Sequence, residues 1–118
     1  MNKLIVALSL GTAAFALSGQ ALASGNAANG AELAKKYNCA SCHGADYKTP
    51  IDPSYPKLAG QHADYLVHAL TAYKRGNKVA NGRNNAIMAG MAQPLSDRDM
   101  VDIAAYLQSL PGPLVTKR

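Results

Sequence analysis

From residue 24 onward, the apolar positions of this chain recur at helical spacing, and no alternating or β-branched run marks a strand. Gly30, Leu33, Ala34 and Tyr37 fall on one face of a helix expected over 28–37, leaving Lys35 and Lys36 on the wet side. Leu66, Ala69, Leu70 and Tyr73 make the stripe of a second helix, expected over 62–75. Lys74 and Arg75 suit the negative end of its dipole, and Gly76 is placed to end it as a left-handed cap. A third helix starts at Ser96, where Asp97 and Asp99 favour the positive end and Ser96 with Asp99 forms an imperfect capping box. Met100, Ile103, Tyr106, Leu107 and Leu110 line its inner face, and Pro111-Gly112-Pro113 stops it. The expected fold class is all-α, with three main helices joined by long loops.

Two of those loops are long enough to need a purpose. Residues 44–60 carry Pro50, Pro53 and Pro56, which exclude a helix. Residues 77–95 are rich in Gly and Asn, with helical signal for only a single turn around Asn84–Met88. Ahead of everything, Met1–Ala23 has the pattern of an export leader: Lys3, a mostly apolar stretch from Leu4 to Leu17, then Ala21-Leu22-Ala23 as a small-x-small cleavage site. The competing reading is a retained anchor. The apolar stretch is broken by Ser9, Gly11 and Thr12 and falls short of the roughly 20 residues a spanning helix needs, so cleavage before Ser24 is expected. The remaining domain, 24–118, then lies outside the cytoplasm, in the periplasm, with no membrane-spanning segment.

Composition narrows the function. Twelve basic against 7 acidic residues give a formal charge of +5. That suits docking onto acidic protein surfaces, and no nucleic-acid module or basic amphipathic arm is present. A domain this small often needs a staple beyond its own core.

The only two cysteines supply one. Cys39-Ala40-Ser41-Cys42-His43 is a C-x-x-C-H run, the pattern of c-type haem attachment. Two thiols add across the haem vinyl groups and the adjacent imidazole reaches the iron. A dithiol redox motif is the rival, but it belongs in a βαβ setting that this chain lacks. The second axial position then needs a ligand. Met88 and Met91, in the polar loop, are candidates, because a thioether with an imidazole is the usual c-type pair. Both cannot bind, and Met88 is preferred only from the resemblance described next. Met100 faces the core; His68 turns to solvent; His62 sits at a helix entrance, where a capping or surface role is the default. A second histidine ligand or an open sixth position are the alternatives.

With these residues in place, the chain resembles class I c-type cytochromes, most closely the cytochrome c4 / c553-like group. The carriers are Cys39-Ala-Ser-Cys42-His43-Gly44-Ala-Asp46, Tyr55-Pro56-Lys57-Leu58-Ala59-Gly60-Gln61, Tyr65-Leu66, Met88-Ala-Gly90-Met91, Leu95-Ser96-Asp97-Arg-Asp99 and Ile103-Ala-Ala105-Tyr106-Leu107. The resemblance implies a cytochrome c-like fold around one covalent haem c held by Cys39 and Cys42. It implies His43 and Met88 as axial iron ligands, with Met91 as the fallback. It further implies that the Pro56 carbonyl orients His43, that Leu58 packs on the ring, and that Gly30 meets Tyr106 where the first and last helices cross. Cytochrome c4 proper has two such domains and two motifs, whereas this sequence has one motif and reads as a single-domain, monohaem version.

The function this implies is single-electron transfer between redox proteins, a carrier rather than an enzyme. Lys35, Lys36, Lys48 and Lys57 would steer an acidic donor or acceptor, against the plainer reading of solvated lysines. Tyr47, Tyr55, Tyr65, Gln61 and Arg83 are candidates for contact with the haem or its propionates, with nothing in the sequence to rank them. Two other functions compete: a cytochrome subunit of an oxidoreductase complex, such as a flavocytochrome sulfide dehydrogenase, and a haem sensor or small peroxidase with a displaceable ligand.

Overall fold

The computed structural model describes residues 24–113, so the leader Met1–Ala23 lies outside the described residues. Five α-helices follow in order, α1 (Ala27–Lys36), α2 (Ala40–His43), α3 (Ala63–Arg75), α4 (Ala86–Ala92) and α5 (Asp97–Ser109), with a short 3-10 turn (Gly76–Lys78) directly after α3. No strand occurs among the described residues. The three long helices are the three the periodicity predicts, displaced by at most one residue at each compared end. Two short helices are added.

The helix ends follow side-chain chemistry. Asn26 caps α1 by accepting from the Asn29 amide. At α5, Ser96 and Asp99 complete a reciprocal box: the Ser96 side chain accepts from the Asp99 amide and the Asp99 carboxylate accepts from the Ser96 amide. The shorter Asp thus does what Glu usually does in this motif. Gly76 ends α3 with φ +71°, as a glycine is needed to do, but its ψ of −167° is extended rather than left-handed helical.

The first and last long helices pack in close contact, and Gly30 is the reason. A Cβ built there would lie 1.9 Å from the Asp102 carbonyl oxygen and 2.9 Å from the Tyr106 Cβ, so no larger residue fits. The expected meeting of Gly30 and Tyr106 is what the structure has. Beside it, Asp102 is 2 % exposed and fully partnered: its carboxylate accepts from the Asn26 amide at 2.8 Å and the Asn29 side chain at 2.8 Å, and pairs with Arg98 at 3.0 Å. Those bonds, the Asn29 amide first, hold its carboxyl below the usual range. Ala34, Leu66, Met100, Ile103, Ala104 and Leu107 form the core between α1, α3 and α5. Met100 is packing, as its helical position implies, and is 1 % exposed.

Candidate functional site

The C-x-x-C-H run is itself helical. The Tyr37 and Asn38 amides bond back into α1, Asn38 takes a positive φ of 53°, and the chain turns straight into α2. One turn of helix brings Cys39, Cys42 and His43 to a common wall. Gly44 ends it at φ +88°, where a Cβ would strike the Thr49 carbonyl oxygen at 2.2 Å. The loop after it then folds back: Asp46 accepts from the Lys48 and Thr49 amides and the Thr49 hydroxyl, while the Leu58 and Ala59 amides both donate to the Tyr47 carbonyl. This loop delivers Pro56 to His43. The imidazole is 7 % exposed, and its Nδ1 lies 2.9 Å from the Pro56 carbonyl oxygen. An Nδ1–H donating to that carbonyl leaves the Nε2 lone pair as the free coordinating group.

The second wall comes from α3, which contributes Tyr65, Leu66, Ala69, Leu70 and Tyr73, and the third from α4. Here the structure departs from the expected single turn. The segment is seven helical residues, opened by the Asn85 side chain, which accepts from the Met88 amide at 2.9 Å. Met88 and Met91 therefore sit one turn apart on a helix rather than in an irregular loop, and both line the cavity. They differ in setting. Met88 is half-buried and also borders a smaller hollow shared with His43, Asn85 and Pro56, whereas Met91 is 37 % exposed and does not reach it.

Enclosed by these walls is a cavity of about 450 Å³. Cys39, Cys42, His43, Pro56, Leu58, Met88 and Met91 all line it, so these seven residues are brought to one place. The two thiols form no disulfide, and burial pushes that of Cys39 up. The lining is chiefly aliphatic, aromatic and sulfur-bearing, with Lys57 and Arg83 as its cations and no carboxylate. Two neighbouring thiols, one pre-oriented imidazole and two thioethers around an apolar hollow fit an apolar group that carries a soft-ligated metal.

The unranked polar candidates separate. Gln61, Tyr65 and Arg83 line the cavity; Tyr55 borders only the smaller hollow, with its ring centroid 6.4 Å from that of His43. Tyr47 lines neither. It is buried edge-on against Tyr106, and desolvation pushes its hydroxyl up to about 12. His62 and His68 are exposed and outside the cavity. Of the four lysines, Lys35 pairs with exposed Glu32 at 2.9 Å and Lys36 lies over the Tyr37 ring, while only Lys57 reaches the cavity. No helix among the described residues is long and apolar enough to cross a membrane.

Comparison with known proteins gives the same picture. The profile of the family described as Cytochrome c matches residues 27–111. A cytochrome c4 of Stutzerimonas stutzeri is 41 % identical over 116 residues, covering 95 % of this chain and 52 % of the relative. The cytochrome c-554(548) of Halomonas halodenitrificans is 46 % identical over 85 residues, 72 % of this chain and 96 % of that protein. A thiosulfate dehydrogenase electron acceptor of Stutzerimonas stutzeri (strain A1501) is 37 % identical over 109 residues, 92 % of this chain and 46 % of the relative. The crystal structure of reduced recombinant cytochrome c4 from Pseudomonas stutzeri superposes with a TM-score of 0.64 at 39 % identity, over 76 % of this chain and 48 % of that one. The chain thus spans about half the length of the cytochrome c4 relatives it matches and nearly all of the smaller one. This chain belongs to the cytochrome c family, with its all-α fold, and its cofactor is covalently bound haem c.

Proposed function

We propose that this chain is a periplasmic carrier of single electrons between redox proteins, with one haem held by Cys39 and Cys42 and its iron ligated by His43 and Met88. Haem bound in this way supplies a one-electron couple. The residues around it decide how that couple behaves. His43, fixed through Nδ1 by the Pro56 carbonyl, presents Nε2 to the cavity, and the bond raises its basicity as a ligand. Leu58, Leu66, Ala69 and Ile103 line the cavity with apolar surface and would exclude water from the bound group. His43 and Met88 together would leave the iron no open position for a substrate.

The observation that carries this reading is the convergence on one cavity of the two thiols and a buried, oriented imidazole from one wall and a thioether from another. Met88 is preferred to Met91 because it borders the hollow shared with His43 and because its own amide is fixed by Asn85, whereas Met91 is more exposed. Replacing Met88 by Ala is expected to abolish the far-red Met–Fe(III) absorption band and lower the potential. Met91→Ala should leave that band in place, and the reverse pattern would hand the ligand role to Met91.

The leader pattern at Met1–Ala23 and the need to attach haem outside the cytoplasm support the location. A mass spectrum of the exported protein should show a chain beginning at Ser24 plus one haem. The relative named a thiosulfate dehydrogenase electron acceptor favours a second reading, in which this chain serves one dedicated dehydrogenase rather than diffusing among partners. Co-purification of a stable complex at physiological salt would favour that reading over a free shuttle.

A further inference from the structure

Arg83 lines the cavity, and the proposed haem chemistry has given it no part. Its backbone amide donates to the Ala72 carbonyl at 2.9 Å, which pins the connection after α3 onto that helix. Its guanidinium lies over two rings of α3, 5.5 Å from the centroid of Tyr65 and 5.4 Å from that of Tyr73, and donates to the Tyr65 hydroxyl at 3.2 Å. Stacking on both rings fixes a side chain that would otherwise be among the most mobile. Yet the charge so carefully held meets no carboxylate. The ion pairs among the described residues are Lys35 with Glu32 and Arg98 with Asp102, and no acidic side chain lines the cavity. Of five guanidinium N–H donors, the Tyr65 and Tyr73 hydroxyls engage at most two. Lys57, the other cation of the lining, is exposed and held by no ring.

A cation fixed on an apolar wall with spare donors is suited to an anion carried by the cavity's occupant. Haem c carries two propionate carboxylates, and drawing a carboxylate toward an apolar wall is costly unless a charged donor meets it. We propose that Arg83, gripped by Tyr65 and Tyr73, is the anchor for a haem propionate, while Lys57 remains a solvated surface charge. This rests on the reading of the cavity as the haem site. The consequence is a link between side-chain geometry and redox poise: a cation at that carboxylate stabilises the reduced iron relative to the oxidised one.

The test uses the haem-loaded protein and its Arg83→Gln, Arg83→Lys, Tyr65→Phe and Lys57→Gln variants. Two readouts are the propionate bending band in resonance Raman spectra and the Fe(III)/Fe(II) ratio against a mediator of fixed potential. Arg83→Gln should displace the band and move the ratio severalfold toward Fe(III), because the removed cation repels the oxidised iron more than the reduced one. Arg83→Lys keeps the charge but loses the fork, so the band moves while the ratio changes less. Tyr65→Phe should give a smaller shift in the same direction as Arg83→Gln, and it carries the test if Arg83→Gln does not accumulate. Lys57→Gln should leave the band in place. A lowered melting temperature with an unmoved band in every Arg83 and Tyr65 variant makes Arg83 structural and overturns the proposal; so does a band displaced by Lys57→Gln alone. Absence of covalent haem from the unmodified protein would instead sink the reading of the site itself.

Discussion

The two sides of this small domain are built on opposite terms. Where α1 meets α5, the protein closes on itself: Gly30 admits the Asp102 carbonyl, Asp102 gathers Asn26, Asn29 and Arg98, and each of these contacts is protein on protein. On the other side α2, α3 and α4 stand around a hollow of about 450 Å³, and the side chains lining it face one another across a gap. The first side is finished by the chain alone. On the proposed reading the second would be completed by the cofactor, which makes the haem a structural member of the fold as well as a redox group.

The strongest way to break that comparison is to withhold the haem. At about 24 cal/mol per Å³, a dry void of about 450 Å³ would cost on the order of 10 kcal/mol as an upper figure, comparable with the whole stability of a small domain. The Cys39→Ala/Cys42→Ala double variant, produced without haem, is therefore expected to lose cooperative thermal unfolding and much of its helical circular dichroism. A sharp, native-like transition in that variant would mean that the cavity side is also self-sufficient.

The finished side has its own weak point. Gly30→Ala drives a Cβ into the Asp102 backbone, which cannot rotate away as a side chain can. Overpacking of this kind costs roughly 1–3 kcal/mol, here at the upper end. Better helix propensity returns about 1 kcal/mol, so a net loss near 2 kcal/mol is expected in denaturant melts of the haem-loaded protein. A neutral or stabilising Gly30→Ala would show that the helices separate freely.

How much of this was legible in the sequence depends on how far apart the partners stand. The stripes of α1, α3 and α5 are local repeats, and their ends are marked by Ser96, Pro111 and the basic pair Lys74-Arg75, so periodicity alone finds them. The C-x-x-C-H run is likewise local. The helix α4 was not legible beyond one turn, because Asn84, Asn85 and Gly90 read as loop; the signal available was Asn85 as an N-cap before Ala86. Asp102 was missed altogether. On its helix it reads as one more polar residue, and the groups that bury it, Asn26 and Asn29, lie more than seventy positions earlier in the chain. For the same reason the sequence could name Arg83 but not rank it. Its value comes from Tyr65 and Tyr73, and only the fold stacks all three.

Asp102 gives the pH signature of the finished side. Its folded-state carboxyl is held below the usual range, so its contribution is fully present above the unfolded value of about 4 and is lost as pH falls through the depressed folded value. Asp102→Asn replaces charge-assisted bonds by weaker neutral ones and is expected to cost about 1–2 kcal/mol near neutral pH. The gap between the two proteins should narrow as the solution is acidified below about pH 4. A gap constant with pH would mean that the carboxylate charge contributes nothing to the crossing.

The smallest expected effect is also the one that separates the two sides most cleanly. Asn26 and Asn85 cap α1 and α4 in the same manner, each accepting from the amide three residues on. Replacing either by Ala should cost about 1 kcal/mol, so stability alone does not distinguish them. Their neighbours do. The amide that Asn85 holds belongs to Met88, whereas the one Asn26 holds belongs to Asn29, on the closed side. Loosening the start of α4 should raise the population in which the thioether has left the iron, and carbon monoxide should then bind the reduced Asn85→Ala protein faster than the parent. Asn26→Ala should bind it no faster. Equal acceleration in both would mean that the two sides open together as one unit; rapid binding already in the parent would point to a sensor or peroxidase rather than a carrier.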